Sequence, residues 1–146
     1  MKAALYLILF LATSISFSQN LNVAKDHIAC LYGLKDSAQN WVVPAQYTYI
    51  SKTSTGHFII HYDSKLGLLD SKSNEVLPVE YKHIAGYPNN WTILDYNYGN
   101  HVTQQAPKFI RVQKENAVGL VDFNGREILP IEYNNIRQNA GDIAAV

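Results

Sequence analysis

Residue types that could do chemistry are sparse in this chain, and their spacing works against them. His57 and His61 stand four apart, a separation that on a helix puts two imidazoles on one zinc ion. They flank and enter Phe58-Ile59-Ile60-His61-Tyr62, which reads as a strand. There a rise of about 3.3 Å per residue sets them roughly 13 Å apart, too far to share a metal, and the pair reads as a solvated strand face. Asp36, Asp70 and Asp122 recur at matching places and invite a calcium ladder. Calcium takes about six to eight oxygens from a compact loop, and each aspartate has few oxygen-bearing neighbours, so capping of turn amides is the better use of it. Cys30 lies in the strand-like run His27-Ile28-Ala29-Cys30-Leu31-Tyr32 and is expected to be a small buried hydrophobe. Three residues along a strand, His27 points to the opposite face, which rules out a thiol–imidazole couple. The sequence has no Gly-x-Ser-x-Gly elbow, phosphate-cradling glycine loop or paired-carboxylate motif. These residues point away from an enzyme and call for no metal and no cofactor.

The elements that must carry these residues come in copies. Gly33, Asp36, Pro44, Tyr47 and Ile50 recur as Gly67, Asp70, Pro78, Tyr81 and Ile84, and again as Gly119, Asp122, Pro130, Tyr133 and Ile136. The offsets are identical, and five fixed anchors coincide by chance on the order of once in a million registers. The fold is therefore one supersecondary unit used several times. In the third copy Phe109 to Gln113 reads as a strand, Lys114-Glu115-Asn116 as a turn and Val118 to Asp122 as a second strand. Asn124-Gly125 has the composition of a type I′ hairpin, and Glu127-Ile128-Leu129 returns until Pro130 ends or edges the strand. The second copy repeats the plan with its tight turn at Ser73-Asn74; the first is degenerate, with no clear turn before Tyr32-Gly33. Asp142 to Val146 either closes the last unit or opens another. Structurally the glycine permits close approach between neighbouring hairpins, while tyrosine and isoleucine fold back to bury apolar area. No helical periodicity of useful length follows the N-terminal region. The expected fold is all-β: tandem antiparallel β-hairpin repeats, about three copies, forming an open, twisted solenoid-like array.

Met1 and Lys2 precede an apolar run from Ala3 to Ala12, and Ser16-Phe17-Ser18 places small residues where a signal peptidase reads. Residues 1–18 are expected to be a signal peptide cleaved between Ser18 and Gln19. The run falls short of the ~20 apolar residues of a bilayer span, so no membrane insertion is expected after cleavage. Removing 18 of the 146 residues leaves 128, with 11 basic against 12 acidic side chains and a net charge of −1. That balance, without a clustered basic face, argues against nucleic acid. The expected destination is secreted, periplasmic or the cell envelope. With one cysteine there is no intramolecular disulfide, and Cys30 is too far from the cleavage site for lipidation. The mature domain, 19–146, divides into repeats near 24–50, 57–84 and 108–136.

The third copy, Phe109-Ile110-Arg111-Val112 followed by Val118-Gly119-Leu120-Val121-Asp122-Phe123-Asn124-Gly125-Arg126-Glu127-Ile128-Leu129-Pro130-Ile131-Glu132-Tyr133, resembles the WG-repeat (KWG-type) family of bacterial β-repeat proteins. One departure stands out: the tryptophan before glycine is Tyr32, Leu66 and Val118 here. The resemblance covers nearly all of residues 24–146. It implies a β-repeat interaction scaffold, commonly exported or envelope-associated, and brings no catalytic residues.

The spacing between copies is 34 residues and then 52. The excess lies in an insertion, 85–107, that holds Tyr87, Trp91, Tyr96, Tyr98 and His101 among several asparagines. Tyrosine and asparagine on a loop projecting from a rigid array make a recognition surface, and aromatic faces also stack on sugars. The alternative is that Trp91-Thr92-Ile93-Leu94 adds a strand whose aromatics enlarge the core. Asn90-Trp91-Thr92 is also a formal N-glycosylation sequon, and Asp36-Ser37-Ala38 is similar to an O-glycosylation signal of some bacteria. The expected function is an exported, non-enzymatic β-repeat protein presenting a surface to a protein or a glycan. The opposing expectation is a purely structural spacer or component of an envelope assembly. Nothing in the sequence fixes the partner or the oligomeric state.

Overall fold

The computed structural model describes residues 20–87, 107–139 and 142–146, and among them all regular structure is strand. Four antiparallel sheets follow one another along the chain. The first holds β1 (Asn22–Asp26), β2 (Leu31–Lys35) and β3 (Trp41–Tyr47), and the second holds β4 (Tyr49–Lys52), β5 (Phe58–Tyr62), β6 (Lys65–Leu69) and β7 (Glu75–Tyr81). The third holds β8 (His83–Tyr87), β9 (Phe109–Lys114), β10 (Ala117–Val121) and β11 (Glu127–Tyr133), and the fourth pairs β12 (Ile136–Asn139) with β13 (Asp142–Ala145). Each sheet is a meander with neighbours in chain order. No sheet closes into a barrel, so the architecture is an open array of tandem hairpin sheets.

The repeat anchors explain each meander. The motif aspartate follows the glycine-bearing strand and caps the turn to the next. Asp70 Oδ1 accepts the amides of Lys72 and Asn74, both at 2.8 Å, and Asp122 Oδ1 accepts those of Asn124 and Arg126, both at 2.9 Å. Asp36 Oδ1 accepts the amide of Asn40 at 2.9 Å. The turn at Asn124-Gly125 is not the expected type I′ hairpin, and its two counterparts share its geometry. Positive φ occurs at one position only in each: Gln39, Ser73 and Gly125. Each backbone closes through an i+3 amide onto the aspartate carbonyl, as in Gly125 N to Asp122 O at 3.0 Å. A carboxylate that holds two turn amides favours this longer turn with a single left-handed residue. The hairpin with two central positive φ values lies elsewhere, at Asp63 (47°) and Ser64 (60°), between β5 and β6.

The anchor glycines sit opposite a bulge in the strand that follows. Leu66 pairs with Tyr81 and Leu68 with Leu77, so Gly67 faces the extra residues around Pro78. A Cβ on Gly67 would come within 2.9 Å of both the Leu77 carbonyl oxygen and Val79 Cγ2, and one on Gly119 within 2.8 Å of the Leu129 carbonyl oxygen. The close approach is therefore between adjacent strands of one sheet, not between neighbouring hairpins as expected. Pro44, Pro78 and Pro130 do not end their strands. They lie inside β3, β7 and β11, which are edge strands, where a missing amide donor costs nothing to the ladder. The residue before each glycine pairs across the sheet with the motif tyrosine: Tyr32 with Tyr47, Leu66 with Tyr81, Val118 with Tyr133. The isoleucines do not close their own units. Ile50 and Ile84 are buried in the first strands of the second and third sheets, and Ile136 opens the fourth.

Cores form between consecutive sheets. Strand β5 shows the arrangement, since successive side chains leave opposite faces. Phe58 and Ile60 pack with Leu21, just before β1, and with Leu34 of the first sheet, while Ile59 joins Leu77 and Tyr81 against Ile84, Ile110 and Val112 of the third. On the far face of the third sheet, Val118 and Leu120 pack with Ile136 of the fourth. Each inner sheet is apolar on both faces, with each buried Leu, Ile or Phe worth roughly 1.5–3 kcal/mol. Rim turns also stack. The His57 ring lies 5.3 Å from that of Phe123, and Gly125 fits against the backbone of Val76. Glu115 receives Lys82 at 2.6 Å and Lys65 at 3.4 Å, and Lys114 pairs with Glu80, so exposed ions also bridge the second and third sheets.

Candidate functional site

The two histidines stand on different elements: His61 lies in β5, and His57 is not on a strand. It ends the turn Thr53–His57 before β5, where its amide donates to Thr53 Oγ1 at 3.0 Å and its Nδ1 lies 3.1 Å from Thr55 Oγ1. Burial lowers its pKa, opposed by the Thr55 and Phe123 backbone and by Asp70. His61, also lowered by burial, stands within β5 and meets the Tyr49 ring edge-on at 5.5 Å. Both are half-buried. Among the described residues no group of three or more His, Cys, Asp or Glu side chains converges as metal ligands would.

Cys30 departs from its expected place. Residues 27–30 are the turn between β1 and β2 rather than a strand, and Cys30 takes a φ of 56° with its thiol exposed, 3.7 Å from the His27 carbonyl oxygen. Asp26 initiates that turn by accepting the amides of Ile28 and Ala29. The apolar character of His27 to Tyr32 concealed a turn because Asp26, its organiser, precedes the run.

The insertion departs from one place in the third sheet. Tyr87 ends β8, Phe109 begins β9, and the two pair across the ladder. The amide of Lys108 closes the neck onto the Tyr87 carbonyl at 2.9 Å. In the preceding unit the same connection is the turn Thr53–His57, closed by Thr53 N to His57 O at 2.8 Å. Ala85, Gly86 and Tyr87 thus belong to a strand. Tyr87 is half-buried in the core between the third and fourth sheets beside Phe109, Leu129 and Tyr133. Burial raises its phenol pKa, which Arg111 partly offsets. The Tyr87 hydroxyl and Arg111 Nε are buried with no hydrogen-bond partner among the described residues. Tyr87 therefore roots the insertion instead of standing free on a surface. Trp91, Tyr96, Tyr98 and His101 lie outside the described residues.

A second feature was not visible in the sequence. Where the first and second sheets meet, Leu31, Ala45, Gln46, Tyr47, Tyr62 and Val79 line an open groove of about 360 Å³. Tyr62, at the end of β5, is 53% exposed, and Tyr49 on the neighbouring strand is 44% exposed. Tyr49 also meets Tyr32 edge-on at 5.5 Å. Burial raises the Tyr47 phenol pKa, reinforced by the Glu75 carboxylate. The groove draws on β2, β3, β5 and β7, so its only sequence signal is a density of tyrosines near 47–62.

The family model for WG-containing repeats matches residues 32–63 and 119–146. Each matched stretch starts within the glycine-bearing strand of one sheet and runs through the opening strands of the next. The unmatched middle copy is the one that the insertion divides. No curated protein and no solved structure gives a significant match.

Proposed function

Since the chain belongs, through these repeats, to the WG-containing repeat family, we propose that it is an exported, non-enzymatic scaffold that presents a binding surface to a protein or a glycan. The observation that carries this reading is the neck at Tyr87 and Lys108, where a ladder-paired hairpin opens into the long connection 88–106 at the position of a five-residue turn in the previous unit. A rigid frame with one enlarged, aromatic- and amide-rich connection is how binding loops are displayed. No helix among the described residues is long and apolar enough to cross a membrane. The apolar leader ending at Ser18 supports export.

The test replaces residues 88–106 by a turn copied from Thr53–His57 and compares it with the intact chain for urea midpoint and for retention of components of envelope extract. A recognition loop predicts an unchanged midpoint and loss of a component that intact protein retains. Equal retention by both proteins favours the spacer reading. Because a loop replacement can disturb folding, Trp91→Ala and Tyr98→Ala repeat the comparison as single changes.

A further inference from the structure

We propose that the groove between the first and second sheets is a second binding site, separate from the insertion, and that it takes a neutral pyranose unit of an oligosaccharide. Its walls are strands: Ala45, Gln46 and Tyr47 of β3, Tyr62 of β5, Val79 of β7 and Leu31 at the start of β2. They are held by the same ladders and core that hold the array, so the site exists before any ligand arrives. Its volume, about 360 Å³, is within the ~300–1,000 Å³ of small-ligand sites.

The lining selects the ligand class. None of the six residues carries a formal charge, and the charged group that acts on the Tyr47 hydroxyl is the Glu75 carboxylate. An anionic ligand finds no cation among these six residues; Lys65, the ladder partner of Tyr62, and Glu75 flank them with opposite charges. Two phenol rings offer flat apolar faces, which match the C–H face of a pyranose. Their hydroxyls and the exposed Gln46 amide supply donors and acceptors for the ring's own hydroxyls. Tyr62 is the more exposed of the two rings, 53% in water at the end of β5. Beside the groove, Tyr47 pairs across the ladder with Tyr32, whose ring meets that of Tyr49 edge-on.

The test uses the chain from residue 19 and four neutral probes: maltohexaose, cellohexaose, β-1,4-mannohexaose and chitohexaose, with an uncharged extended decapeptide as the competing class. Titration is followed by calorimetry and by amide NMR. At least one hexasaccharide should saturate at millimolar or lower concentration and shift amides of residues 45–47, 62 and 79. Tyr62→Ala should weaken that binding about tenfold with an unchanged urea midpoint, and Tyr62→Phe should stay within about twofold because the ring face is kept. The proposal is overturned if no hexasaccharide saturates below about 20 mM, if Tyr62→Ala leaves binding intact, or if only the peptide binds. Replacing 88–106 should leave sugar binding untouched. Loss of sugar binding on that replacement, or on Trp91→Ala, would move the sugar to the insertion, overturning this site while supporting the function proposed above.

Discussion

Tyr81→Ala should be among the most damaging single substitutions in the array, and the structure gives the reason and the size. Tyr81 is 6% exposed and sits in the core that joins the second and third sheets, with Ile59, Leu68 and Leu77 on one side and Ile84, Ile110 and Val112 on the other. Its ring also carries the Lys114 ammonium at 4.9 Å. Truncation opens a cavity that two laddered sheets cannot collapse to fill, at a cost of about 3–5 kcal/mol. A domain of this size has about 5–15 kcal/mol in total. Tyr47 and Tyr133 hold the same motif position but are only partly buried, packed against the edges of the other two cores. Their alanine variants should cost roughly half as much. Tyr81→Phe should cost under about 1 kcal/mol, since the ring provides the packing. Equilibrium urea unfolding of the four variants at constant m-value decides the matter. A Tyr47 or Tyr133 loss equal to that of Tyr81, or a Tyr81→Phe loss as large as Tyr81→Ala, refutes the argument that burial between sheets sets the hierarchy.

Gly67→Ala should destabilise by about 2–4 kcal/mol, because the new methyl meets the Leu77 carbonyl and Val79 at 2.9 Å; a midpoint near that of the parent would show that the bulge relaxes freely. Stability should fall with acid in two stages. His57 and His61 have folded pKa values lowered by burial from 6.5, so the unfolded chain takes up protons first and stability is lost as pH drops below about 6.5 until the folded pKa values are reached. Burial pushes Asp70 upward, but hydrogen bonds from the Asn74 side chain and the Asn74 and Lys72 amides outweigh it, and the amides of Arg126 and Asn124 lower Asp122. These carboxylates contribute stability above about pH 4 that disappears below it. Urea midpoints across pH 3 to 8 should show both stages, and a flat profile between 7.5 and 5 removes the histidine contribution. The exported chain should have the intact mass of a protein starting at Gln19; full-length protein carrying Met1 in the cytoplasm would refute the leader reading.

The repeat spelled out much of this fold. Identical offsets from glycine to aspartate, proline and tyrosine marked the repeating unit, and β-branched runs marked the strands. Besides the turn at Cys30 and the place of His57, three things escaped. Anchor spacing is silent about where one sheet ends, so Ile50, Ile84 and Ile136 read as closing residues although each belongs to the sheet that follows. Turn type was misjudged at Asn124-Gly125 because a dipeptide signal ignores a carboxylate two residues earlier, and Asp122 decides that backbone by binding two amides. The groove was illegible because Leu31 and Val79 are far apart in sequence and meet only when two sheets stack.

Stacking also limits where such an array can bind anything. The second sheet buries apolar side chains on both faces, and so does the third, which leaves neither with a free face for a ligand. For these two inner sheets what remains is the rim, where turns protrude, and the seams, where edge strands of successive sheets leave gaps. The insertion departs from a rim turn, its neck closed by the same pairing that continues through β8 and β9. The tyrosine groove opens at a seam, where the bulge around Pro44 turns β3 away from regular pairing. The groove therefore arises where the repeat itself forces irregularity, and the insertion at a turn that the preceding unit keeps to five residues. A change that regularises either place should leave the stack standing and remove only what it holds.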